Sequence, residues 1–239
     1  MKNIIIFVSV IFTVVTTFSK RVYSQADTTK IPDLVHKDMV YCEIKNAQGN
    51  VHEAGNLLKG KKEGVWRTYN DHDGLSTLEE FKDNVLNGIK VQFDESGYIS
   101  VEASFRNGKL NGKRTEFRYG TVKKFFESYA DGVLDGNKKT FYESGTLQED
   151  GNYKKGKRDG LVKWFNQEEK PTIEYMYKMG VIEGSAKTFF ASGKIQSEGN
   201  YKNDNETGEW KEYDEDGNLL KTTIYDNGKV IKETEVKKK

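Results

Sequence analysis

Apolar and polar residues alternate along most of this chain. From Ile99 to Arg106 the apolar residues Ile, Val, Ala and Phe alternate with Ser, Glu, Ser and Arg, and residues 89–93 repeat the pattern. A period of two is typical of antiparallel β-strands with one face on the core and one face in water. The frequent glycines argue against helices, because each costs a helix about 1 kcal/mol. The pattern predicts an all-β protein.

Glycine recurs along the chain at intervals of 24 residues, which marks an internal repeat. These repeat glycines are Gly64, Gly88, Gly112, Gly136, Gly160, Gly184 and Gly208. Five residues after them stand Tyr69, Phe93, Phe117, Phe141, Phe165, Phe189 and Tyr213. A second series with the same 24-residue spacing is Leu57, Phe81, Phe105, Tyr129, Tyr153, Tyr177, Tyr201 and Tyr225. The two series predict an aromatic stripe that couples one unit to the next.

Each unit contains two turns, which leaves room for two strands of about six residues. Gly, Asn or Asp lies four residues before each repeat glycine, and most units have a further Gly in the second turn. The unit that starts at Gly160 has Glu168-Glu169-Lys170-Pro171 there instead. One such unit cannot bury its own apolar face, so neighbouring units must stack. We therefore predict an elongated single-layer antiparallel β-meander of about seven to eight 24-residue hairpin repeats.

The predicted meander has 15 or 16 strands, and its spacing assigns Gly160 to a strained turn of the central hairpin. A β-branched residue disfavours positive φ, so Gly160→Val is predicted to break that hairpin and uncouple the two halves of the array.

The first 24 residues have the layout of a secretory signal peptide. Lys2 precedes an apolar run from Ile4 to Phe18, and Val22 and Ser24 stand at the −3 and −1 positions of a cleavage site. An uncleaved N-terminal membrane anchor is the alternative, although a span needs roughly 20 apolar residues. The predicted location is secreted, periplasmic or cell-envelope. The predicted divisions are a signal peptide (1–24), a linker (25–39), a β-repeat domain (40–232) and a basic C-terminal tail (233–239).

Two units carry a motif that resembles a known repeat. They are Tyr153-Lys-Lys-Gly156-Lys-Arg-Asp-Gly160 and the segment from Tyr201 through Gly208-Glu-Trp210 to Tyr213. Both look like the MORN repeat variant of bacterial proteins grouped with the YwqK-type antitoxin component of a toxin–antitoxin system. The resemblance covers roughly residues 40–232. It implies an elongated antiparallel sheet, a protein-binding or membrane-associated role and no shared catalytic residues. An antitoxin-like role is one alternative function.

The charge balance argues against nucleic acid as a partner. Residues 1–24 contain Lys2, Lys20 and Arg21, which leaves 35 Lys and Arg against 37 Asp and Glu, a net charge near −2. Nucleic-acid binding depends on a basic face, and these charges are evenly mixed.

No catalytic residue, metal or cofactor is predicted. His36, His52 and His72 lack a second ligand at metal spacing. The turns at Asn70–Gly74 and Asp214–Gly217 resemble calcium loops, but side-chain hydrogen bonds to the turn backbone also explain their acidic and amide residues. Cys42 is the only cysteine. We predict a buried thiol, with a cross-link between two chains as the alternative.

Most of the aromatic stripe is predicted to be core, with some members free to contact a partner. The candidates for exposed contacts are Trp66, Tyr69, Trp164, Phe190 and Trp210. The sequence therefore predicts an exported, non-enzymatic scaffold that binds another protein. The alternatives are a cell-surface or periplasmic module that binds a glycan or anionic membrane, and a second copy of the chain as the partner that covers the aromatic face.

Overall fold

A computed structural model describes residues 28–33 and 37–236. The predicted signal peptide (1–24) lies outside the described residues, as do His36 and the last three lysines. The described residues form eighteen β-strands and contain no helix, so none of them belongs to a helix that spans a membrane.

The strands alternate with short turns along the whole described chain. They are β1 (Thr28–Pro32), β2 (Met39–Lys45), β3 (Val51–Leu58), β4 (Lys61–Tyr69), β5 (Leu75–Lys82), β6 (Val85–Phe93), β7 (Ile99–Arg106), β8 (Lys109–Arg118), β9 (Val122–Ala130), β10 (Val133–Phe141), β11 (Leu147–Lys154), β12 (Lys157–Phe165), β13 (Pro171–Lys178), β14 (Val181–Phe189), β15 (Ile195–Lys202), β16 (Asn205–Tyr213), β17 (Leu219–Asp226) and β18 (Lys229–Glu235).

Each strand pairs antiparallel with the strand that follows it in the chain, from β1–β2 at one end to β17–β18 at the other. The result is one open sheet, which confirms the predicted single-layer β-meander of hairpin repeats.

The sheet extends beyond both predicted boundaries. Thr28–Pro32 falls within the predicted linker but pairs with β2, and β18 continues to Glu235, past the predicted end at residue 232. The prediction of 15 or 16 strands is therefore wrong, because the described residues contain eighteen. These end strands carry no repeat glycine. Backbone hydrogen bonds hold them to their neighbours. Such bonds do not depend on the side chains, so the spacing of residue types does not reveal these strands.

Two-residue turns connect the two strands of each hairpin, all on one side of the sheet, and we call them the tips. Both residues of each tip have positive φ, as in Lys155 (φ 50°) and Gly156 (φ 79°). This is the type I′ turn, which matches the twist of the flanking strands and favours Asn, Asp and Gly. The tips are Lys59-Gly60, Asp83-Asn84, Asn107-Gly108, Asp131-Gly132, Lys155-Gly156, Met179-Gly180, Asn203-Asp204 and Asn227-Gly228.

The repeat glycines do not form turns. Gly160 lies within β12, where Gly151 pairs with Val162 but Tyr153 pairs with Arg158. Residues 159–161 therefore stand opposite the single residue Asn152, which makes a β-bulge centred on Gly160 at φ 103°. The assignment of Gly160 to a turn is wrong, although the positive φ behind it is present. The spacing of the glycines indicates where a residue has positive φ, but it does not distinguish a turn from a bulge.

The bulges connect each unit to the next. Asp159, the residue before Gly160, accepts a hydrogen bond from Met179 N of the next tip (3.3 Å) through Oδ2. The following residue of that tip, Gly180, donates its N–H to Arg158 O (2.7 Å). The same side-chain bond recurs from Asn107 N to Asn87, from Lys155 N to Asp135 and from Asn203 N to Glu183. The oxygen-bearing residue before each repeat glycine is thus a structural part of the repeat.

The five-residue turns at the other ends of the strands are built around an Asx hydrogen bond. Asn70 Oδ1 accepts N–H groups from His72 (3.0 Å) and Gly74 (2.9 Å), and Asp214 Oδ1 accepts them from Asp216 (3.0 Å) and Asn218 (2.8 Å). These bonds confirm the backbone interpretation of both acidic turns.

Glu169→Gly is expected to stabilise the protein. Glu169 sits at φ 60° where the equivalent residues Gly145 and Gly193 have φ 90° and 87°. A left-handed conformation costs an L-residue roughly 1–2 kcal/mol, and glycine avoids that cost but loses part of the gain as backbone entropy. Thermal denaturation should therefore show an increase of about 2 °C in the melting temperature. The reverse exchange, Gly145→Glu, should lower it, and a lower melting temperature for Glu169→Gly would contradict this account of the turn.

The two aromatic series lie on opposite faces of the sheet. Tyr201 packs its ring against Trp210, with 5.2 Å between the ring centroids, whereas the Tyr213 hydroxyl donates to Glu198 (2.9 Å). Glu198 and Tyr201 are three residues apart in β15, and alternate residues of a strand point to opposite faces. We call the face with Trp210 face A and the face with Tyr213 face B. The prediction of one continuous stripe on one face is wrong, because the two-residue tip between members of the two series pairs residues an odd number apart, as Tyr201 with Glu206, so that residues 12 apart lie on opposite faces.

Candidate functional site

Face A holds nearly all of the fully buried side chains, and most lie on one line across the middle of the strands. This central line runs Cys42, Gly55, Trp66, Glu79, Lys90, Ala103, Arg114, Glu127, Lys138, Gly151, Val162, Tyr175, Ala186, Gly199, Trp210 and Thr223. Trp66 is 2% exposed and Val162 is 0% exposed. Longer neighbours cover the small residues of the line, so a single layer of strands still buries apolar surface.

The first half of the central line is ionic. Lys90 Nζ lies 2.7 Å from Glu79 Oε1, and further along the line Glu127 is only 8% exposed. Lys138 Nζ (3.1 Å), Arg114 Nη1 (3.4 Å) and the Tyr129 hydroxyl (2.8 Å) all reach the Glu127 carboxylate. A buried carboxylate with three donors has little residual charge to offer a ligand.

This ionic network shifts the pKa of two of its members. Burial, together with the hydrogen bond to Glu127, raises the pKa of the Tyr129 phenol to about 12. Hydrogen bonds from Lys124 and Arg114 lower the pKa of Glu116 against the opposing effect of burial. Both shifts favour the protonation states that the network uses at neutral pH. The ionic half of face A therefore has a structural role.

The second half of face A is aromatic. Its rings form a chain of edge-to-face contacts in the order Trp164, Tyr175, Tyr201, Trp210 and Tyr225, with centroid separations of 6.1, 5.8, 5.2 and 6.3 Å. Tyr177 joins the chain at Trp164, 6.5 Å away. All six rings are partly accessible to solvent. We call this set the aromatic half of face A. Rigid, half-buried aromatic side chains are the residues that contribute most to binding at protein interfaces.

Arg158 lies at one end of the aromatic half. Its guanidinium carbon is 5.3 Å from the Trp164 ring centroid, 5.6 Å from Tyr177 and 6.0 Å from Tyr153. One nitrogen pairs with Glu149 at 2.9 Å, while the buried Nε has no hydrogen-bond partner. Cation–π contacts hold the guanidinium in a fixed position beside the rings.

Face B carries ion pairs between neighbouring strands in the units where face A is aromatic. Lysines at the 24-residue spacing pair with the carboxylates opposite them: Lys139 with Asp150 (3.1 Å), Lys163 with Glu174 (2.8 Å) and Lys187 with Glu198 (3.3 Å). Hydrogen bonds from Tyr213 and then Lys187 lower the pKa of Glu198. Such paired surface charges contribute little to binding, so face A is the stronger candidate surface.

The predicted contact residues are dispersed over the structure. Trp164 and Trp210 belong to the aromatic half of face A, joined through two tyrosines. Trp66 is on the same face but is buried over Gly55, and its Nε1 donates to Asn56 O (2.9 Å). The prediction that Trp66 is exposed is wrong, because Lys62 covers its ring, with Nζ 4.3 Å from the ring centroid, whereas Trp210, which packs over Gly199 in the same way, has Glu206 at the position of Lys62.

The other two predicted contact residues lie elsewhere. Tyr69 is half-buried at the end of β4 and belongs to the face B series. Phe190 begins a five-residue turn, where its N–H donates to Lys194 O (2.9 Å). Neither residue adjoins the aromatic half of face A.

Sequence reasoning missed Tyr175 and Arg158. Tyr175 occupies a position of the 24-residue frame where the other units have Gly, Ala, Glu or Thr, and Trp164 likewise replaces Thr, Gln or Glu. A comparison of units position by position would have shown both departures.

Cys42 is a buried thiol. Burial raises its pKa, which disfavours the reactive thiolate. The prediction of a buried thiol is confirmed. Among the residues that the structure describes, no three His, Cys, Asp or Glu side chains are arranged to hold a metal ion.

The open sheet of stacked hairpins and its one-sided aromatic surface define a β-repeat protein of the kind that presents an extended binding face. Residues 134–155, 182–203 and 206–227 each match the MORN repeat variant. The chain therefore contains MORN-type repeats, and repeats of this type generally bind proteins or membranes. A comparison with curated proteins found no match.

The most specialised unit lies between the first two matched segments. Residues 158–179 contain Arg158, Trp164, the turn without glycine at Glu169, and Met179 at a tip where the other units have polar residues. Departures from the repeat are therefore concentrated where face A is most aromatic.

Proposed function

We propose that this protein is an exported, non-enzymatic scaffold that binds a partner protein through the aromatic half of face A. The observation that supports it most is the chain of edge-to-face contacts from Trp164 to Tyr225, which leaves aromatic surface open on one face. Export is supported by the apolar run and cleavage motif of residues 1–24.

The rigidity of the sheet suits this role. Tip-to-bulge hydrogen bonds connect consecutive units, and each ring of the aromatic half contacts another ring. A preorganised surface loses little conformational entropy when a partner binds, so more of the contact energy contributes to affinity.

The proposal is tested by affinity capture with residues 25–239 against cross-linked envelope extract. Trp164→Thr introduces the residue that Thr68, Thr140 and Thr188 have at the equivalent position. Because a central aromatic contact contributes about 2 kcal/mol or more, the variant should retain at most roughly a tenth of the captured partner.

The matched control is Lys163→Thr, one residue away in β12 on face B, where Thr115 is the equivalent residue. Thermal denaturation shows that both variants remain folded. A stoichiometric protein partner that Trp164→Thr loses and Lys163→Thr retains supports the proposal. Polysaccharide or lipid carried over without a protein would contradict it and support a surface-binding module instead.

A further inference from the structure

We propose that copies of this chain join end to end, with β1 of one copy pairing antiparallel with β18 of the next. This inference goes beyond the proposed function, because the contact joins two copies and does not use the aromatic half of face A. β1 and β18 are the edge strands of the sheet, and within the described chain each pairs with one neighbour, β2 or β17. The outer edge of each strand therefore presents backbone N–H and C=O groups that another strand can bind.

Two hydrogen bonds show which residues of the edge strands direct their backbone groups outward. Asp33 N donates to Met39 O (3.1 Å), so Asp33 points inward, toward β2. Val236 N donates to Leu220 O (2.8 Å), so Val236 points inward, toward β17. Successive residues of an antiparallel strand alternate between inward and outward backbone groups. The outward residues are therefore Thr28, Lys30 and Pro32 in β1, and Glu233 and Glu235 in β18.

The outward residues of both edges lie on face A. Lys30 pairs with Cys42 and Glu233 pairs with Thr223, and both partners belong to the central line of face A. The described chain has an even number of strands, eighteen, so β1 of a copy in the same orientation runs antiparallel to β18. The outward residues then meet as hydrogen-bonded pairs, and face A continues from one copy to the next.

One register pairs two outward residues of each strand and keeps all of β1 against β18. It sets Lys30 opposite Glu233, two exposed side chains of opposite charge on the same face. Lys221 Nζ is 3.6 Å from Glu233 but 2.9 Å from Glu212, so Lys221 bonds to Glu212 and leaves the Glu233 carboxylate accessible. Opposite charges that face each other stabilise a strand pair, so both the backbone and the side chains favour this register.

The same charges disfavour pairing between like edges. Two β1 strands in full overlap would set Lys30 opposite Lys30 of the second copy. Two β18 strands that pair their outward residues would set Glu233 opposite Glu233 or Glu235 of the second copy. Like charges directly opposite each other destabilise a strand pair. The contact is therefore heterologous, with a different edge on each side, and it can repeat from copy to copy.

β18 also has a more regular edge than the strands inside the sheet. Each even-numbered strand from β4 to β16 shifts its register by two residues at a repeat glycine. β18 has Lys232 in place of that glycine, and its register shifts by only one residue. Because a bulge turns an edge away from a partner, the smaller shift leaves residues 232–235 as a regular edge. Pro32, which has no N–H, falls opposite Ile231 beside this bulge, where it interrupts no regular pair.

End-to-end joining would repeat the aromatic half of face A along one continuous sheet. Eighteen strands at about 4.8 Å spacing place successive aromatic halves roughly 85 Å apart. Such an array binds a multivalent partner more tightly than one copy does, without any new contact to that partner.

The test is sedimentation of residues 25–239 at concentrations up to about 1 mM, because a five-residue strand pair is a short contact. We expect the weight-average mass to rise continuously with concentration. Lys30→Glu and Glu233→Lys each set like charges opposite each other, so each variant should associate about tenfold more weakly. An equimolar mixture of the two variants should regain association, since every junction between unlike variants again joins a lysine to a glutamate.

Two control variants leave the edges unchanged. Glu209→Lys makes the same exchange at an exposed residue of β16, away from both edges, and should associate like the wild type. Trp164→Thr should also associate like the wild type, so this inference and the proposed function fail separately. Thermal denaturation shows that the charge variants remain folded, as expected because Lys30 and Glu233 are both exposed.

A wild-type chain that is monomeric at every concentration would overturn the inference. Wild-type association of either charge variant would overturn it as well, as would a mixture that associates no better than its components. A dimer that does not grow with concentration would also contradict it, since a closed contact between two copies leaves no free edge for a third.

Discussion

Gly55→Ala is expected to destabilise the protein by about 3 kcal/mol. A Cβ atom at this position would lie well inside the van der Waals distance of the Trp66 ring. Trp66 is 2% exposed and donates its Nε1 hydrogen to Asn56 O, so the indole has no space to move without loss of packing and of that bond. Overpacking of a well-packed site costs about 1–3 kcal/mol, and displacing a buried Trp adds to it.

A double-mutant cycle measures this contact. In the background Trp66→Ala, the change Gly55→Ala should cost less than about 1 kcal/mol, because the obstructing ring is gone. Gly199→Ala should behave like Gly55→Ala, since a Cβ there would meet Trp210. Chemical denaturation of the four variants provides the free energies of unfolding. Equal costs of Gly55→Ala with and without Trp66 would show that the backbone, rather than the indole, requires glycine.

Gly160→Val is expected to destabilise the protein by about 2–3 kcal/mol and to divide unfolding into two transitions. The reason is conformational: Gly160 lies at φ 103°, where a β-branched residue is strained, while the nearest side-chain atom to a Cβ is Asn152 Cβ at an ordinary 3.6 Å. Stability in a stacked array is a sum of units and neighbour contacts, so a weak central unit lets the two halves unfold separately.

Two controls separate this strain from other effects. Leu161→Val places the same side chain one residue later, where the first unit has Val65, and should cost less than about 1 kcal/mol. Gly156→Asn at the adjoining tip should also be tolerated, since Asn84 already occupies the equivalent position at φ 69°. A single cooperative transition at the wild-type temperature for Gly160→Val would refute the strained bulge.

The repeat was predictable because its signals are local. Positive φ at a tip favours Gly, Asn or Asp in two adjacent residues, and alternation along a strand requires only its own side chains. These features predicted the meander and the hairpin units, and they placed glycine at positions such as Gly160 where φ is positive. The end strand β1 and the last residues of β18 escaped prediction, since backbone pairing alone holds them in the sheet.

The candidate site was predictable only in part. Trp164 and Trp210 were predicted as exposed members of the aromatic stripe, but Trp66 was predicted with them although it is only 2% exposed. The contribution of Arg158 depends on three rings from the neighbouring strands β11, β12 and β13, which lie within 6.0 Å of its guanidinium. Strand pairing brings these rings together, so the sequence of one strand does not show the arrangement.

The amino-acid sequence by itself determined that this protein is a stack of 24-residue hairpins with Gly, Asn or Asp at its tips. Only the tertiary structure decided which face each aromatic series occupies and which side chains meet across the sheet. The faces follow from the two-residue tips, which pair residues an odd number apart, such as Tyr153 and Arg158. The contacts follow from the two-residue shift in strand register at each bulge, as between Gly151 and Tyr153, which leaves the faces unchanged. Hydrogen bonds between neighbouring strands set that shift, so it decides which side chains meet across the sheet without appearing in the pattern of any single strand.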